Sequence, residues 1–479
     1  MPALKKYSVL LTLFALSYAF RSGAQTTDPG PDTATGAQIS AQIPKPTDFV
    51  IGEIVISGNK RTKPYLIERE LSFKKGDSIY LPELVEKFET ARQQLINTRL
   101  FNEVVVALKS FRGYEVDIAI DVKERWYIFP VPYLKPIDRN LSEWASHGFE
   151  FDRINYGLKF MYYNFSGRND NLKLWLLTGY TKQIQFQYEQ PYADKTLKHG
   201  YKIGSAYSSN KEVNYGTVDN RQMFTDSLGG IKKWYSFIEY DYRPGIKTFH
   251  ALRFGFTRQE TDSNISKINP GYFKNGMNKV DIPEISYKLS HFNVDYIPYP
   301  LTGWMGEASL SKRGIHPHTS MWQLEAKYSK SIPLSKKYFF IWQTQGLIRL
   351  PFDQPYYNSQ LFGYGDLFLR GLEKYVVDGV LGAMSRQTFR RELFRFSIPT
   401  FLNSTSHDKI PFRIYANAFS DIGFSYTKRP AGNSLANKML YTAGAGIDVV
   451  SFYDFVLHID YSFNQLNQKG LFLRVNNSF

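Results

Sequence analysis

The sequence has 479 residues, 43% hydrophobic and 16% aromatic, with a net charge of +15 and no cysteine. The missing cysteine excludes a disulfide scaffold and thiolate metal sites. The basic excess suits nucleic acid or anionic lipid, but no zinc finger, helix-turn-helix or RNP pattern is present, so no nucleic-acid partner is expected. The eight histidines are scattered, with no HExxH, GxSxG or GxxxxGK[ST], so neither an enzyme active site nor a bound metal or cofactor is expected.

Lys5-Lys6 begin a short basic segment, and Tyr7 to Phe20 form an apolar run too short to span a membrane. Small residues at Ser22-Gly23-Ala24 place a cleavage point before Gln25, so residues 1–24 read as a signal peptide on an exported chain. With glutamine rather than cysteine at that point, the chain is not expected to be a lipoprotein. Residues 25–47, rich in Thr, Pro, Gly and Ala, read as a flexible linker.

Residues 48–124 read as a small α+β domain. FVIGEIVISGN is a strand ending in a Gly58-Asn59 turn. Thr62 is placed to cap a short helix with Pro64 in its first turn and Leu66, Ile67 and Leu71 on its apolar face. After a break at Gly76-Asp77, Leu84, Phe88, Ala91 and Leu95 recur at helical spacing. Two strands, EVVVALK and EVDIAIDV, complete a β-α-α-β-β order.

Residues 125–479 alternate in polarity over segments of about ten residues. In DFVLHIDYSF, Phe455, Leu457, Ile459, Tyr461 and Phe463 share one face, and Val456, His458, Asp460 and Ser462 the other. FHALRFGFTR and FIWQTQGLIR behave alike. A soluble β-sandwich and a membrane barrel both produce such a pattern. The apolar leader, the 34 tyrosines and 37 phenylalanines, the strand length and the lack of a second apolar face favour the barrel. About sixteen strands are expected, beginning near Trp126, Ile154, Leu172, Ile184, Tyr201, Lys233, Thr248, Ile285, Gly303, Met321, Tyr338, Gln387, Phe412, Leu440, Phe455 and Leu471, with room for another pair in 209–230.

In the last strand, Leu471, Leu473, Val475 and the terminal Phe479 share one face. The chain also holds an Arg-Gly pair, Arg370-Gly371, in the otherwise apolar and aromatic loop GYGDLFLRGLEKY. On the strand containing FSDIG, Asp421 shares parity with Arg413 and Asn417 and so points to the polar side. Glu392, in RRELFRFSIP, shares parity with Thr388 and Arg390. An inward-folded Arg370 could form a forked pair with Asp421, Glu392 or both; a solvated surface arginine is the alternative.

The order of a small α+β module, a barrel and an Arg-Gly loop before the fifth strand from the end resembles the outer-membrane assembly-factor superfamily, whose members include BamA, TamA and FhaC-like translocases. IGEIVISGNKRTK and TRLFNEVVV fit one POTRA domain. FLRGL is similar to the family's Val-Arg-Gly-Phe/Tyr loop, RRELFRFSIP to its Glu-containing strand and FSDIG to its Phe-x-Asp-x-Gly strand. Phe479 looks like the C-terminal signal of outer-membrane barrels, although Asn477 occupies a slot that is usually apolar. The resemblance implies a bacterial outer-membrane insertase or translocase with a periplasmic POTRA domain, a weak seam between the first and last strands, unfolded polypeptide clients, lipid contacts including anionic headgroups, and accessory proteins. The seam would join Trp126, Pro130 and Pro132 to Leu471, Leu473 and Val475; each proline removes a ladder donor. A single POTRA suits a specialised member better than a central assembly machine. Secretion of one dedicated partner through the lumen and a passive porin-like channel are the other readings.

Overall fold

The structure is a computed structural model, and it describes residues 48–136, 148–151, 154–225, 230–400, 408–430 and 432–476. The expected signal peptide, the linker and Phe479 lie outside the described residues. The described residues form one compact unit.

The N-terminal domain is a four-stranded sheet covered by two helices. It comprises β1 (Phe49–Ser57), α1 (Pro64–Arg69), the two-residue β2 (Ser78–Ile79), α2 (Leu84–Asn97), β3 (Phe101–Arg112) and β4 (Glu115–Glu124). The sheet order is β2-β1-β4-β3, with β1 and β4 parallel. Helix α1 starts at Pro64, where a missing N–H costs nothing. Its N-cap is Lys63, without a side-chain bond, so Thr62 is not the cap expected. The Thr62 hydroxyl instead meets the Tyr127 hydroxyl at 3.1 Å. On α2 the apolar spacing buries Leu84, Ala91 and Leu95 against Ile51, Val116, Ile118 and Ile120 of the sheet. Each large side chain buried this way contributes about 1.5–3 kcal/mol.

Sixteen strands then make one antiparallel sheet. They are β5 (Ile128–Pro136), β6 (Ile154–Tyr162), β7 (Asn171–Gly179), β8 (Thr181–Gln190), β9 (His199–Asn210), β10 (Ile231–Tyr242), β11 (Thr248–Thr261), β12 (Lys279–Val294), β13 (Gly303–Arg313), β14 (Met321–Pro333), β15 (Tyr338–Leu350), β16 (Leu381–Pro399), β17 (Lys409–Tyr426), β18 (Met439–Val450), β19 (Val456–Asn464) and β20 (Lys469–Asn476). Each pairs with its chain neighbour, so the spatial order is the chain order. All sixteen expected strands are present. The largest differences are at β12 and β16, which begin six residues before Ile285 and Gln387. These two strands run to 16 and 19 residues, beyond the 9–11 or so that cross hydrocarbon, and the outward-apolar pattern marks only the crossing part; before it, Val280, Ile282 and Met384 are buried on the inward side. The 209–230 interval holds a separate hairpin, Asn214–Val218 with Arg221–Phe224, outside the main sheet.

Side chains alternate as the pleat requires. Leu176, Ile184, Ile238 and Phe254 are exposed outward, while Glu239, Asp421 and Asp460 are buried inward. An apolar belt of that extent is stable facing lipid rather than water. No helix among the described residues is long and apolar enough to cross a membrane; the crossing elements are the strands.

Candidate functional site: an inward loop, a covered rim and a seam

The loop between β15 and β16 folds inward. Leu361, Phe362, Leu369, Leu372 and Val377 pack with Leu347, Met384 and Leu440 of the wall. That apolar anchoring carries Arg370 to Asp421 on β17, which is fully buried. Arg370 Nη2 donates to Asp421 Oδ1 at 2.5 Å and Nε to both carboxylate oxygens at 3.1 Å. The Arg370 backbone N–H adds a bond to Oδ2 at 2.9 Å, and Nη1 donates to Thr388 Oγ1 at 3.0 Å. The guanidinium stacks over Phe419, 4.0 Å from the ring centroid. Phe419, Asp421 and Gly423 therefore each meet the loop: a ring for the cation, a carboxylate for the fork, and at Gly423 a space where an added Cβ would be 3.1 Å from Leu369.

Glu392 does not join this pair, which corrects one expectation. Cross-strand pairing sets Arg386 opposite Asp421 and Glu392 opposite Tyr415. The six-residue offset is about 20 Å along the strand. The bulge between Glu392 and Phe394 lies beyond Glu392, and Phe394 and Phe396 after it are exposed. Glu392 bonds Arg395 at 3.0 Å and Tyr415 at 3.4 Å. The second charged neighbour of Asp421 is a cation, Arg386, at 3.6 Å.

The loop also grips the terminal hairpin. Gly371 has φ +87°, and an added Cβ would lie 2.8 Å from Ser462 Cβ on β19; only glycine fits both demands. Asn464 Nδ2 donates to the Gly371 carbonyl at 2.8 Å. Glu373 accepts from the Gly371 N–H at 2.7 Å and from Arg474 Nη1 at 2.7 Å. Arg474, on β20, also pairs with buried Asp460 and faces the Phe368 ring at 5.3 Å. Sequence reasoning missed Glu373, Asp460 and Arg474. Parity offered a signal, because Arg474 is the one charged residue on the inward side of β20.

At the opposite rim the N-terminal domain covers the barrel mouth. Arg61 and Thr62 bond Asn164 in the β6–β7 turn. Arg69 reaches Leu197 in the β8–β9 turn at 2.7 Å. Buried Glu70 pairs with Arg243, in the β10–β11 turn, at 2.6 and 2.8 Å. Asn97 bonds Val294 and Ile297 at the β12–β13 turn, each at 3.0 Å. Arg125 forks onto Asp454 in the β18–β19 turn with two contacts of 3.1 Å, and Tyr296 donates to the same carboxylate at 2.6 Å. Burial pushes the Asp454 carboxyl up, but Arg125, Arg99 and Tyr296 outweigh it and hold it below its ordinary value. The β12–β13 turn itself bends inward: Tyr299 packs on Tyr415 and donates to Asp448 at 2.6 Å. Between the domain and the barrel interior lies a cavity of about 620 Å³ lined by Glu70, Lys173, Lys202, Asp241 and Lys288, among others.

Strands β5 and β20 end the sheet order, and no ladder joins them among the described residues. Leu134, Leu471 and Leu473 are 74%, 63% and 62% exposed. Trp126 is also exposed, and its backbone N–H donates to the Tyr453 hydroxyl at 3.0 Å. Pro130 and Pro132 lie within β5, opposite Phe160 and Leu158 of β6, while Leu471, Leu473 and Val475 lie on β20 opposite β19.

With this geometry in hand, residues 49–125 match the family described as POTRA, surface antigen variable number repeat. No curated protein sequence matches the chain. Among solved structures, BamA from Haemophilus ducreyi lacking POTRA domains 1–3 is similar at 14% identity and a TM-score of 0.49, covering 89% of this chain and 84% of that one. CdiB from Escherichia coli is similar at 12% and 0.47, covering 98% and 96%. CdiB from Acinetobacter baumannii is similar at 12% and 0.45, covering 90% and 73%.

Proposed function

We propose that this chain, a single-POTRA barrel of the outer-membrane assembly-factor superfamily, inserts or translocates polypeptide in the bacterial outer membrane, with its POTRA domain in the periplasm. Its finer role is insertion of β-barrel proteins or their parts at the β5–β20 seam. The observation that carries this reading is a sixteen-stranded sheet whose two end strands are not laddered to each other among the described residues. A strand edge left open templates an added strand by β-augmentation. The client gains main-chain hydrogen bonds and moves its apolar face into lipid, so the step needs no nucleotide hydrolysis. The partners are unfolded outer-membrane or secreted polypeptides, the surrounding lipid, including anionic headgroups that fit the basic excess, and accessory proteins.

A passive channel fits less well, because the Arg370 loop, the 295–302 turn and the POTRA domain all occupy the conduction path. Secretion of one dedicated partner through the lumen draws support from the charged cavity above the POTRA domain; it requires the loop and the turn to move aside. Photo-crosslinkers placed on β5, on β20 and in the lumen separate the readings. Capture of client strands at the seam supports insertion, and capture of an extended passenger only in the lumen supports secretion. Large steady bilayer conductance with no capture would leave the channel.

A further inference from the structure

We infer that the outer wall carries a binding site for an anionic phospholipid of the periplasmic leaflet, built where β9, β10, β11 and β12 meet the turns that hold the POTRA domain. The inference rests on the lipid-facing barrel of the reading above and is independent of which polypeptide the chain handles. Three of the eight histidines, His199, His250 and His291, lie on β9, β11 and β12 with the outward parity of Ile203, Phe254 and Ile285. A polar ring set against hydrocarbon is costly unless a polar group answers it.

The register sets His199, Tyr242, His250 and Leu289 in one row across four strands, and Tyr201, Tyr240, Leu252 and Tyr287 in the next row toward the membrane centre. The rows are tied together: His199 Nδ1 lies 2.6 Å from the Tyr240 hydroxyl, and His250 Nδ1 lies 2.7 Å from the Tyr287 hydroxyl. Tyr242 fills the space between the imidazoles, its ring centroid 5.2 Å from that of His199 and 5.7 Å from that of His250. With a tyrosine hydroxyl donating to Nδ1, the ring proton sits on Nε2, and an imidazolium carries one there too. Either way each ring offers an Nε2–H, and among the described residues neither Nε2 has a hydrogen-bond partner.

These rings line a groove of about 620 Å³, with Thr196 and Lys198 of the β8–β9 turn on its periplasmic side. The Asp194 carboxylate of the same turn accepts from the N–H groups of Thr196, Lys198 and His199 at 2.8, 3.1 and 3.0 Å, and it makes no ion pair with Lys198. Two imidazole N–H donors and one ammonium beside an aromatic platform fit a phosphodiester anion. Toward the membrane centre, Ile203, Ile238, Phe254 and Ile285 are exposed and give the acyl chains an apolar track. A free phosphate would leave that track unused, whereas a phospholipid fills both parts. The height agrees as well. Leu197 in the β8–β9 turn accepts from Arg69 of the POTRA domain, and Arg243 in the β10–β11 turn pairs with Glu70. The Arg243 N–H also donates to the Lys198 carbonyl at 2.7 Å, so the lipid groove and the POTRA contacts share the same two turns.

The experiment uses the full mature chain, stripped of lipid in detergent and titrated with phosphatidylglycerol carrying a diazirine on its acyl chain. Crosslinked peptides are mapped by mass spectrometry, and native mass spectrometry counts the lipid retained. Crosslinks should concentrate on residues lining the groove. His199→Phe with His250→Phe keeps both rings and removes both Nε2 donors, while Lys198→Gln removes the ammonium from an exposed turn. Hydrogen bonds to a charged group are the strong kind, so the triple variant should retain at least about tenfold less phosphatidylglycerol, with Lys198→Gln alone in between. Tyr328→Phe with Trp342→Phe, exposed elsewhere on the outward wall, is the control and should retain parent levels. The heat-modifiable band confirms that each variant is folded. Undiminished retention by the triple variant, or crosslinks spread evenly around the wall, would make this ordinary annular lipid and overturn the assignment. Effective competition by soluble glycerol phosphate would make it a free-phosphate site, and equal retention of phosphatidylethanolamine would remove the preference for an anionic lipid; either result overturns the proposal. Client insertion enters none of these readouts, so their failure leaves the insertase reading standing.

Discussion

Replacing Arg370 with alanine removes three side-chain hydrogen bonds to Asp421, one to Thr388 and the stacking on Phe419. Breaking a buried pair by deleting one partner costs about 3–5 kcal/mol, because the remaining charge is left uncompensated. Two groups soften that cost: the residue-370 backbone N–H still bonds Asp421, and Arg386 stays 3.6 Å away. Arg370→Ala should therefore fall near the low end, about 3 kcal/mol. Asp421→Ala should cost more, about 4–5 kcal/mol, since it leaves Arg370 and Arg386 close together without their shared anion. The double variant should cost much less than the sum, giving a coupling of about 2 kcal/mol or more. Urea unfolding of the folded band in detergent measures all three, and limited proteolysis within 360–380 reports whether the loop is released. Glu392→Ala is the internal control and should leave loop protection unchanged. Stability of Arg370→Ala within about 0.5 kcal/mol of the parent, or additive single variants, would refute the view that this pair holds the loop.

Gly371→Ala forces a side chain into the left-handed region and against Ser462; a loss of about 2 kcal/mol or more and a protease-sensitive loop are expected, and parent-like resistance would contradict the tight approach. Glu373→Gln removes the anion that braces Arg474; hydrogen exchange of the 469–476 amides should quicken while that of β12–β14 stays unchanged, and unaltered exchange would show that the loop does not brace β20. Asp454 has a folded pKa below its ordinary 3.8, so its contribution is fully present above that value and is lost as pH falls through the lower folded one. POTRA docking should hold from pH 7 to about 4 and loosen only below that, whereas Asp454→Asn should loosen it at pH 7, by about 3 kcal/mol or more for the buried Arg125 left behind; protease release of residues 48–124 reads both.

Strand count and topology were legible because each crossing segment carries its apolar face outward, as in Leu252, Phe254 and Phe256. Their ends were not, because in the first six residues of β12 and of β16 the apolar side chains Val280, Ile282 and Met384 are buried on the inward side, the reverse of the outward-apolar pattern that marks the crossing part. Asp421 could be placed by parity from Arg413 and Asn417 along an unbroken strand. Parity also placed Glu392 on the inward side with Thr388 and Arg390, where it meets buried Tyr415, but a count by twos gives the side and not the height, and the pairing with β17 sets Glu392 six residues along the ladder from Asp421. Thr62 has the side chain of a helix cap, but its hydroxyl is taken by Tyr127 and Asn164 from the barrel, a tertiary demand that local propensity does not contain. The docking of the POTRA domain through Glu70, Asn97 and Arg125 depends on turns up to about 330 residues away in the chain, and no local pattern marks such partners.

Insertion at the seam is tested most directly by locking it. Cysteines at Ile128 and Leu473, joined by a reducible bifunctional maleimide in proteoliposomes, would tie β5 to β20. The locked chain should lose client insertion and regain it on reduction, while either single-cysteine variant carrying the same reagent stays active. Undiminished insertion of barrel clients by the locked chain would contradict the account.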